Sequence, residues 1–182
     1  LTKLDMNQCG YAIFASEMIS ADETPDAVTG VLGYFAPMTK LYPSEKLDAF
    51  HAKLEKKLKT SVDHDSKSFV YAVLSYDHIY AIGHALKSAK EAGEKVINGE
   101  VLMNHLRNVD FAGASGRISL QPGTNDRAHM AVEIMNCHGY KEDGETVNFV
   151  PVGFVDPSTG KLTLDESKIL WPGRTTAPPQ TE

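Results

Sequence analysis

Hydrophobic residues follow two kinds of pattern along this chain, short uninterrupted runs and longer stretches with helical spacing. The short runs at 11–15 and 28–35 lie between Gly, Asp and Pro residues, which predicts two strands buried on both faces. After Pro43 and Ser44, apolar residues recur every three or four positions and Lys and Glu fill the rest, which predicts a surface helix with one buried stripe. The stripe consists of Leu47, Phe50, Leu54 and Leu58.

A second helix is predicted from Ser68 to about Glu91, and it is apolar on almost every side as far as Leu86. A helix that is hydrophobic all round is normally enclosed by protein. We therefore expect residues 69–86 to be buried on most sides. Asn98 is placed to cap a third, short helix. The apolar residues of that helix are Val101, Leu102 and Leu106.

The later patterns predict two antiparallel strand pairs, the first of them within 116–137, after glycines at 113 and 116 break the chain. The first pair comprises 117–120 and 130–134, joined by a turn at 121–126, and the second comprises 147–155 and 161–164, joined at 156–160. Toward the end of the chain, the composition turns to Thr, Pro and Gln. This predicts a Pro/Thr-rich linker or tail over 171–182, without a packed core at 174–182.

Composition limits the class of protein. With 182 residues and 42% hydrophobic content, the chain can bury a core. Its 24 acidic and 18 basic residues give a net charge of −6, and the basic residues are spread along the chain, so we expect no nucleic-acid partner. No run of about 18 apolar residues occurs, so no membrane span is predicted within it. A buried strand is predicted only ten residues after Leu1, and we expect further sequence of the same domain before Leu1.

Residues that commonly carry catalysis or bind cofactors lack functional spacing here. No two of the seven histidines lie four residues apart, so no metal site is predicted. Gly30 and Gly33 do not fit the dinucleotide-binding order, and no Gly-x-Ser-x-Gly elbow occurs. The sequence therefore predicts neither an enzyme nor a cofactor. Cys9 and Cys137 can pair with each other, pair with cysteines outside this sequence, or stay free.

Several segments, in a fixed order, resemble a known family. Residues 75–86 read SYDHIYAIGHAL, and residues 102–119 read LMNHLRNVDFAGASGRIS. Further matching segments lie at 123–127, 133–136, 152–156, 160–162 and 171–173, with looser matches at 11–17 and 30–33. Together they resemble the ligand-binding domain of metabotropic glutamate, GABA-B and natriuretic peptide receptors, which is itself similar to type I periplasmic binding proteins. His78, Gly83 and Leu120 depart from the family pattern, and the resemblance covers about the C-terminal half of the family domain.

The resemblance implies an α/β fold that is part of a type I periplasmic-binding-protein-like clamshell with two Rossmann-like lobes. It assigns the chain to four parts, which are 1–40 in lobe 2, 41–128 in lobe 1, 129–170 returning to lobe 2, and the tail 171–182. Ligands of such folds lie between the lobes and shift the molecule toward its closed state.

The resemblance also implies ligand-binding residues. Glu17, preceded by Ser16, matches the place where glutamate-type receptors hold the ligand's amino group, and Lys95 matches a lysine that holds its distal acid. Tyr76 is a fourth candidate. An acid and a base on opposite lobes suit a zwitterionic or acidic ligand, so Glu17 and Lys95 should face each other without local ion-pair partners. The alternative interpretation is that both are ordinary surface charges and that Tyr76 is a packing residue.

These observations predict the extracellular, small-ligand-binding region of a cell-surface receptor, with an amino-acid-like ligand. Its expected partners are the ligand and the N-terminal half of the same domain, a homodimer is left open, and membrane attachment is expected through sequence outside this stretch. Two alternatives share the fold. One is a soluble, periplasmic-type solute-binding protein, and the other is a structural subunit with a degenerate cleft.

Overall fold

A computed structural model describes residues 12–14, 33–64, 66–142 and 147–172. In chain order the elements are β1 (Phe35–Thr39), α1 (Glu45–Leu58), α2 (Lys67–Glu91), α3 (Gly99–Leu106), β2 (Asp110–Gly113), β3 (Gly116–Ser119), β4 (Val132–Tyr140), β5 (Val147–Val155), β6 (Leu162–Leu164) and a 3₁₀ helix at Glu166–Lys168. One strand is followed by three helices and then by five further strands, which confirms a fold that mixes helices and strands. The described residues form two compact units, one running from Leu41 to Met130 and the other built from residues on either side of it.

The first unit, residues 41–130, contains the three predicted helices. Each begins at a polar side chain that accepts a hydrogen bond from a backbone N–H three residues further on: Ser44 from Leu47, Ser66 from Phe69 and Asn98 from Val101. Such caps contribute about 1 kcal/mol each, because the first N–H groups of a helix otherwise lack a partner. The predicted starts of α1 and α3 are confirmed.

The burial predicted for α2 is wrong in the described part of the chain. One face is buried, and its residues follow each other at intervals of four, namely Phe69, Val73, Asp77, Ala81, Ala85 and Ala89. The opposite side is open to solvent: Ile79 is 68% exposed, and Tyr80, Ile82 and Leu86 are exposed as well. The two other helices and the two-stranded hairpin of this unit offer too little surface to enclose a 25-residue helix on every side.

The predicted pairing of 117–120 with 130–134 is also wrong. Instead, β3 pairs with β2 through a two-residue turn, with Gly113 opposite Gly116. Gly116 has a φ of 106°, a conformation that glycine adopts easily. The two glycines therefore make a tight hairpin rather than a chain break, and a lone bridge between Leu120 and Arg127 is all that remains of the expected pairing.

The second unit is built on a four-stranded antiparallel sheet in the order β1-β4-β5-β6. The pairing of β5 with β6 confirms the predicted second strand pair. Of the strand predicted over 28–35, residues 28–32 lie outside the described part, and the strand that the structure describes covers Phe35–Thr39. Of the run at 11–15, Phe14 forms a parallel bridge to Phe35.

The predicted tail, 171–182, starts two residues too early, because Trp171 and Pro172 belong to the second unit. The Trp171 ring packs against the Phe35 ring, with 5.3 Å between the ring centroids, and Pro172 is fully buried. At Gly33, whose φ is 78°, a Cβ would lie 2.4 Å from the Pro172 nitrogen, so only glycine fits. Asn136 holds the same stretch, since its Oδ1 accepts a 2.8 Å hydrogen bond from the Leu170 N–H. Residues 173–182 lie outside the described part.

Cys137 carries a free thiol in the interior of the second unit, where burial raises its pKa. Cys9 lies outside the described residues, so its state stays open. Among the helices that the structure describes, none combines the length and apolar content needed to cross a membrane.

Candidate functional site

Two of the four predicted ligand-binding residues, Tyr76 and Lys95, lie in the unit formed by residues 41–130. Ser16 and Glu17 lie outside the described residues. The expected approach of Glu17 to Lys95 therefore stays a prediction.

Lys95 lies on the turn that follows α2. The helix ends in a Schellman motif, in which the Glu94 N–H donates to the Ala89 carbonyl at 3.1 Å and the Gly93 N–H donates to the Lys90 carbonyl at 3.1 Å. Gly93 has a φ of 79°, which reverses the chain and is strained for any residue with a Cβ. Lys95 is thus presented by a backbone with a defined conformation rather than by a loose loop.

The acid next to Lys95 is directed to another partner. His105 on α3 lies with its Nε2 3.9 Å from Glu94 Oε1, and its Nδ1 shares a 2.9 Å hydrogen bond with Ser88 Oγ on α2. Lys95 itself is exposed and makes no ion pair or hydrogen bond within the described part of the chain. An ammonium group without a local partner is available to an acidic group that arrives from outside.

Tyr76 is half-buried on α2 and already engaged. Its ring lies 4.8 Å from the Phe50 ring and 4.6 Å from the Tyr80 ring. A hydrogen bond with the Tyr80 hydroxyl, with burial as the next cause, raises the pKa of Tyr76. These contacts favour a packing role for the ring, although Tyr76 also lines a pocket on the surface of α2.

The structure does not bring Tyr76 and Lys95 together. Tyr76 lies fifteen residues before Glu91, the last residue of α2, which corresponds to about 22 Å along the helix axis. Lys95 follows a further turn beyond that end. One small ligand therefore cannot contact both side chains.

A buried carboxylate that sequence reasoning missed organises the area beside Tyr76. Asp77 Oδ1 accepts a 2.8 Å hydrogen bond from the Ala114 N–H, and Oδ2 accepts hydrogen bonds from the Ser115 N–H at 2.7 Å and the Ser115 hydroxyl at 2.5 Å. A Cβ on Gly113 would lie 2.5 Å from Asp77 Oδ2, so glycine alone permits this approach. Asp77 thereby fastens the β2–β3 turn to α2.

Arg127 completes this network from the far side of the turn. Its guanidinium donates to Ser115 Oγ at 2.8 Å, to the Ser115 carbonyl at 2.9 Å and to the Arg117 carbonyl at 3.1 Å. Burial lowers the pKa of Arg127, and the nearby Asp77 charge opposes that shift. Both parts of this network belong to segments that resemble the family, the Tyr76-Asp77 pair and the Gly-Ala-Ser-Gly turn at 113–116. The sequence of either segment does not show that the two are in contact.

No group of three or more His, Cys, Asp or Glu side chains with metal-binding geometry occurs among the residues that the structure describes.

Comparisons with known proteins agree with the resemblance seen in the motifs. Residues 1–139 match the model of a family described as the receptor family ligand binding region. The metabotropic glutamate receptor-like protein E of Dictyostelium discoideum is 31% identical over 104 residues, which make up 57% of this chain and 12% of that protein. The matched stretch is thus a small part of that relative.

Proposed function

Because the chain belongs to the receptor family ligand binding region, we propose that it is part of an extracellular sensor domain that binds a small, amino-acid-like ligand and signals by closing two lobes around it. The domain senses rather than catalyses. An amino-acid-like ligand is supported by the similarity to a metabotropic glutamate receptor-like protein. Attachment to the membrane is proposed through sequence outside this stretch.

The observation that carries this proposal is the presentation of Lys95. The side chain is exposed, its backbone is held by the Schellman motif, and the adjacent Glu94 faces His105. In this proposal, Lys95 binds an acidic group of the ligand, and Glu17, with Ser16 beside it, binds the amino group from the opposite lobe. Tyr76 takes no part in that contact, since α2 separates it from Lys95.

The open side of α2 supports a larger domain. Ile79, Ile82 and Leu86 together expose apolar surface whose burial is worth about 25 cal/mol for each Å². We propose that the N-terminal half of the same domain packs on this side of α2.

The test is calorimetric titration of the intact protein with L-glutamate and with a neutral amino acid such as L-serine. The Lys95→Ala variant should bind the acidic ligand about 10- to 150-fold more weakly, the range expected for one hydrogen bond to a charged group, and should bind the neutral ligand as before. Lys57→Ala is the matched control, because Lys57 is another exposed lysine without a partner among the described residues.

Equal affinities of Lys95→Ala and Lys57→Ala for the acidic ligand would contradict the role of Lys95. Absence of saturable heat with any amino acid would instead favour a structural subunit with a degenerate cleft.

A further inference from the structure

A pocket of about 320 Å³ lies inside the unit formed by residues 41–130. Its lining comes from one face each of α1 and α2 and from the end of β2. The lining includes Lys46, Ala49 and Lys53 on α1 and Asp77 and His84 on α2. The volume falls at the lower end of small-molecule sites, which measure roughly 300–1,000 Å³.

Aromatic rings line much of this pocket. Phe50, Tyr76 and Tyr80 follow each other in contact, with ring centroids 4.8 and 4.6 Å apart. One turn further along α2, the His84 ring stacks on the Phe111 ring, with the centroids 4.4 Å apart and an angle of 21° between the rings. An aromatic lining favours a flat apolar group, which gains ring contacts as well as burial.

The charges around the pocket select the sign of a polar group on such a molecule. Lys46 Nζ donates to the Ala112 carbonyl at 2.5 Å, and Lys53, two helical turns further along α1, makes no ion pair or hydrogen bond within the described residues. Asp77 is the carboxylate in the lining, and its oxygens already accept three hydrogen bonds from Ala114 and Ser115. The charged group of this pocket that lacks a partner among the described residues is therefore the Lys53 ammonium, and its positive charge favours an anionic ligand.

We propose that this pocket binds a small aromatic carboxylate, with the ring against the aromatic lining and the carboxylate at Lys53. A cationic group on the ligand would meet two ammonium groups, so the ligand should lack a free amino group. The site is therefore chemically distinct from the amino-acid site proposed around Lys95, and its existence does not depend on that site.

Calorimetric titration of the intact protein with phenylacetate tests the proposal, and phenethylamine, which has the same ring and the opposite charge, is the control ligand. Phenylacetate should give saturable heat and phenethylamine should not. Lys53→Met keeps the aliphatic stem and removes the charge, so phenylacetate should bind about tenfold more weakly. Lys57→Met, an exposed change on the same helix outside the pocket, should leave the affinity unaltered.

A second variant tests the cavity rather than the charge. Ala49 lines the pocket and is exposed, so Ala49→Trp should fill the space and abolish binding, while circular dichroism confirms that the fold persists. Lys95→Ala should bind phenylacetate as well as the unsubstituted protein does. The proposal is overturned if phenylacetate gives no saturable heat, if phenethylamine binds equally, if Lys53→Met and Ala49→Trp both retain full affinity, or if Lys95→Ala alone loses it.

Discussion

Asp77 lies on α2, yet all three of its hydrogen bonds go to the turn between β2 and β3. A buried carboxylate is costly unless donors surround it, and here two backbone N–H groups and one hydroxyl do so. Arg127 adds a positive charge behind Ser115. The hairpin is therefore held by a polar network around a hydrogen-bonded Asp77 carboxylate, and not by apolar contact alone.

Gly113 gives this network a sharp test. In Gly113→Ala the new Cβ would lie 2.5 Å from Asp77 Oδ2 and displace the carboxylate from its donors, so the free energy of unfolding should fall by about 1–3 kcal/mol. Urea denaturation of the intact protein measures this loss.

Gly99 is the matched control, because it is the first residue of α3 and a Cβ there meets nothing within 4 Å. Gly99→Ala should raise the free energy of unfolding by about 0.4–1 kcal/mol, since alanine reduces the conformational entropy of the unfolded chain. If Gly113→Ala is as stable as Gly99→Ala, the Asp77 contact does not constrain the turn.

The residues of the candidate site could be predicted only in part. Lys95 was found because its segment resembles a family motif. That the Glu94 carboxylate lies near His105 and does not pair with Lys95 depends on a residue ten positions further along the chain than Lys95. No local pattern places His105 beside Glu94. The distance between Tyr76 and Lys95 could not be predicted, because a resemblance gives the order of motifs and not their distances in the fold.

The starts of α1 and α3 were predictable because a helix cap is a local signal. Ser44 and Asn98 each bond an N–H three residues away, so the whole interaction is visible in four consecutive residues. Strand pairing is not local in this way. The alternating residues at 130–134 fit a strand correctly, but β4 pairs with β1, whose partner residues lie about a hundred positions earlier in the chain.

The proposed cover on α2 makes a prediction about Ile79. If the N-terminal half of the domain packs there, Ile79→Asp buries an unpaired charge in the intact protein, and the free energy of unfolding should fall by at least about 2 kcal/mol. Thermal or urea denaturation of the intact protein supplies the measurement.

Ala52→Asp provides the comparison, because Ala52 is exposed on α1. That variant should lose little stability. A loss in Ile79→Asp no larger than in Ala52→Asp would mean that this side of α2 faces solvent in the whole protein.

At the scale of the whole molecule, the chain forms two compact units, and one of them is built from two separate stretches of sequence. The polypeptide leaves that unit near Lys40 and returns to it near Ala131. This path is what a chain crossing between two lobes requires. The motifs that resemble the family lie in both units, which is why the family was recognisable from sequence although the hairpin pairing and the burial of α2 were not. The assignment of the units to lobes stays a prediction.

Movement between the two units in response to a ligand is the central claim of the proposed function, and pulsed electron paramagnetic resonance measures it directly. Spin labels are attached at Lys56 on α1 and at Lys161 before β6, both exposed, through non-canonical amino acids that leave Cys9 and Cys137 untouched. Saturating L-glutamate should shift the distance distribution between the labels, and Lys95→Ala should require about 10- to 150-fold more ligand for the same shift. A distribution that stays unchanged while calorimetry shows the site to be filled would contradict signalling by lobe closure.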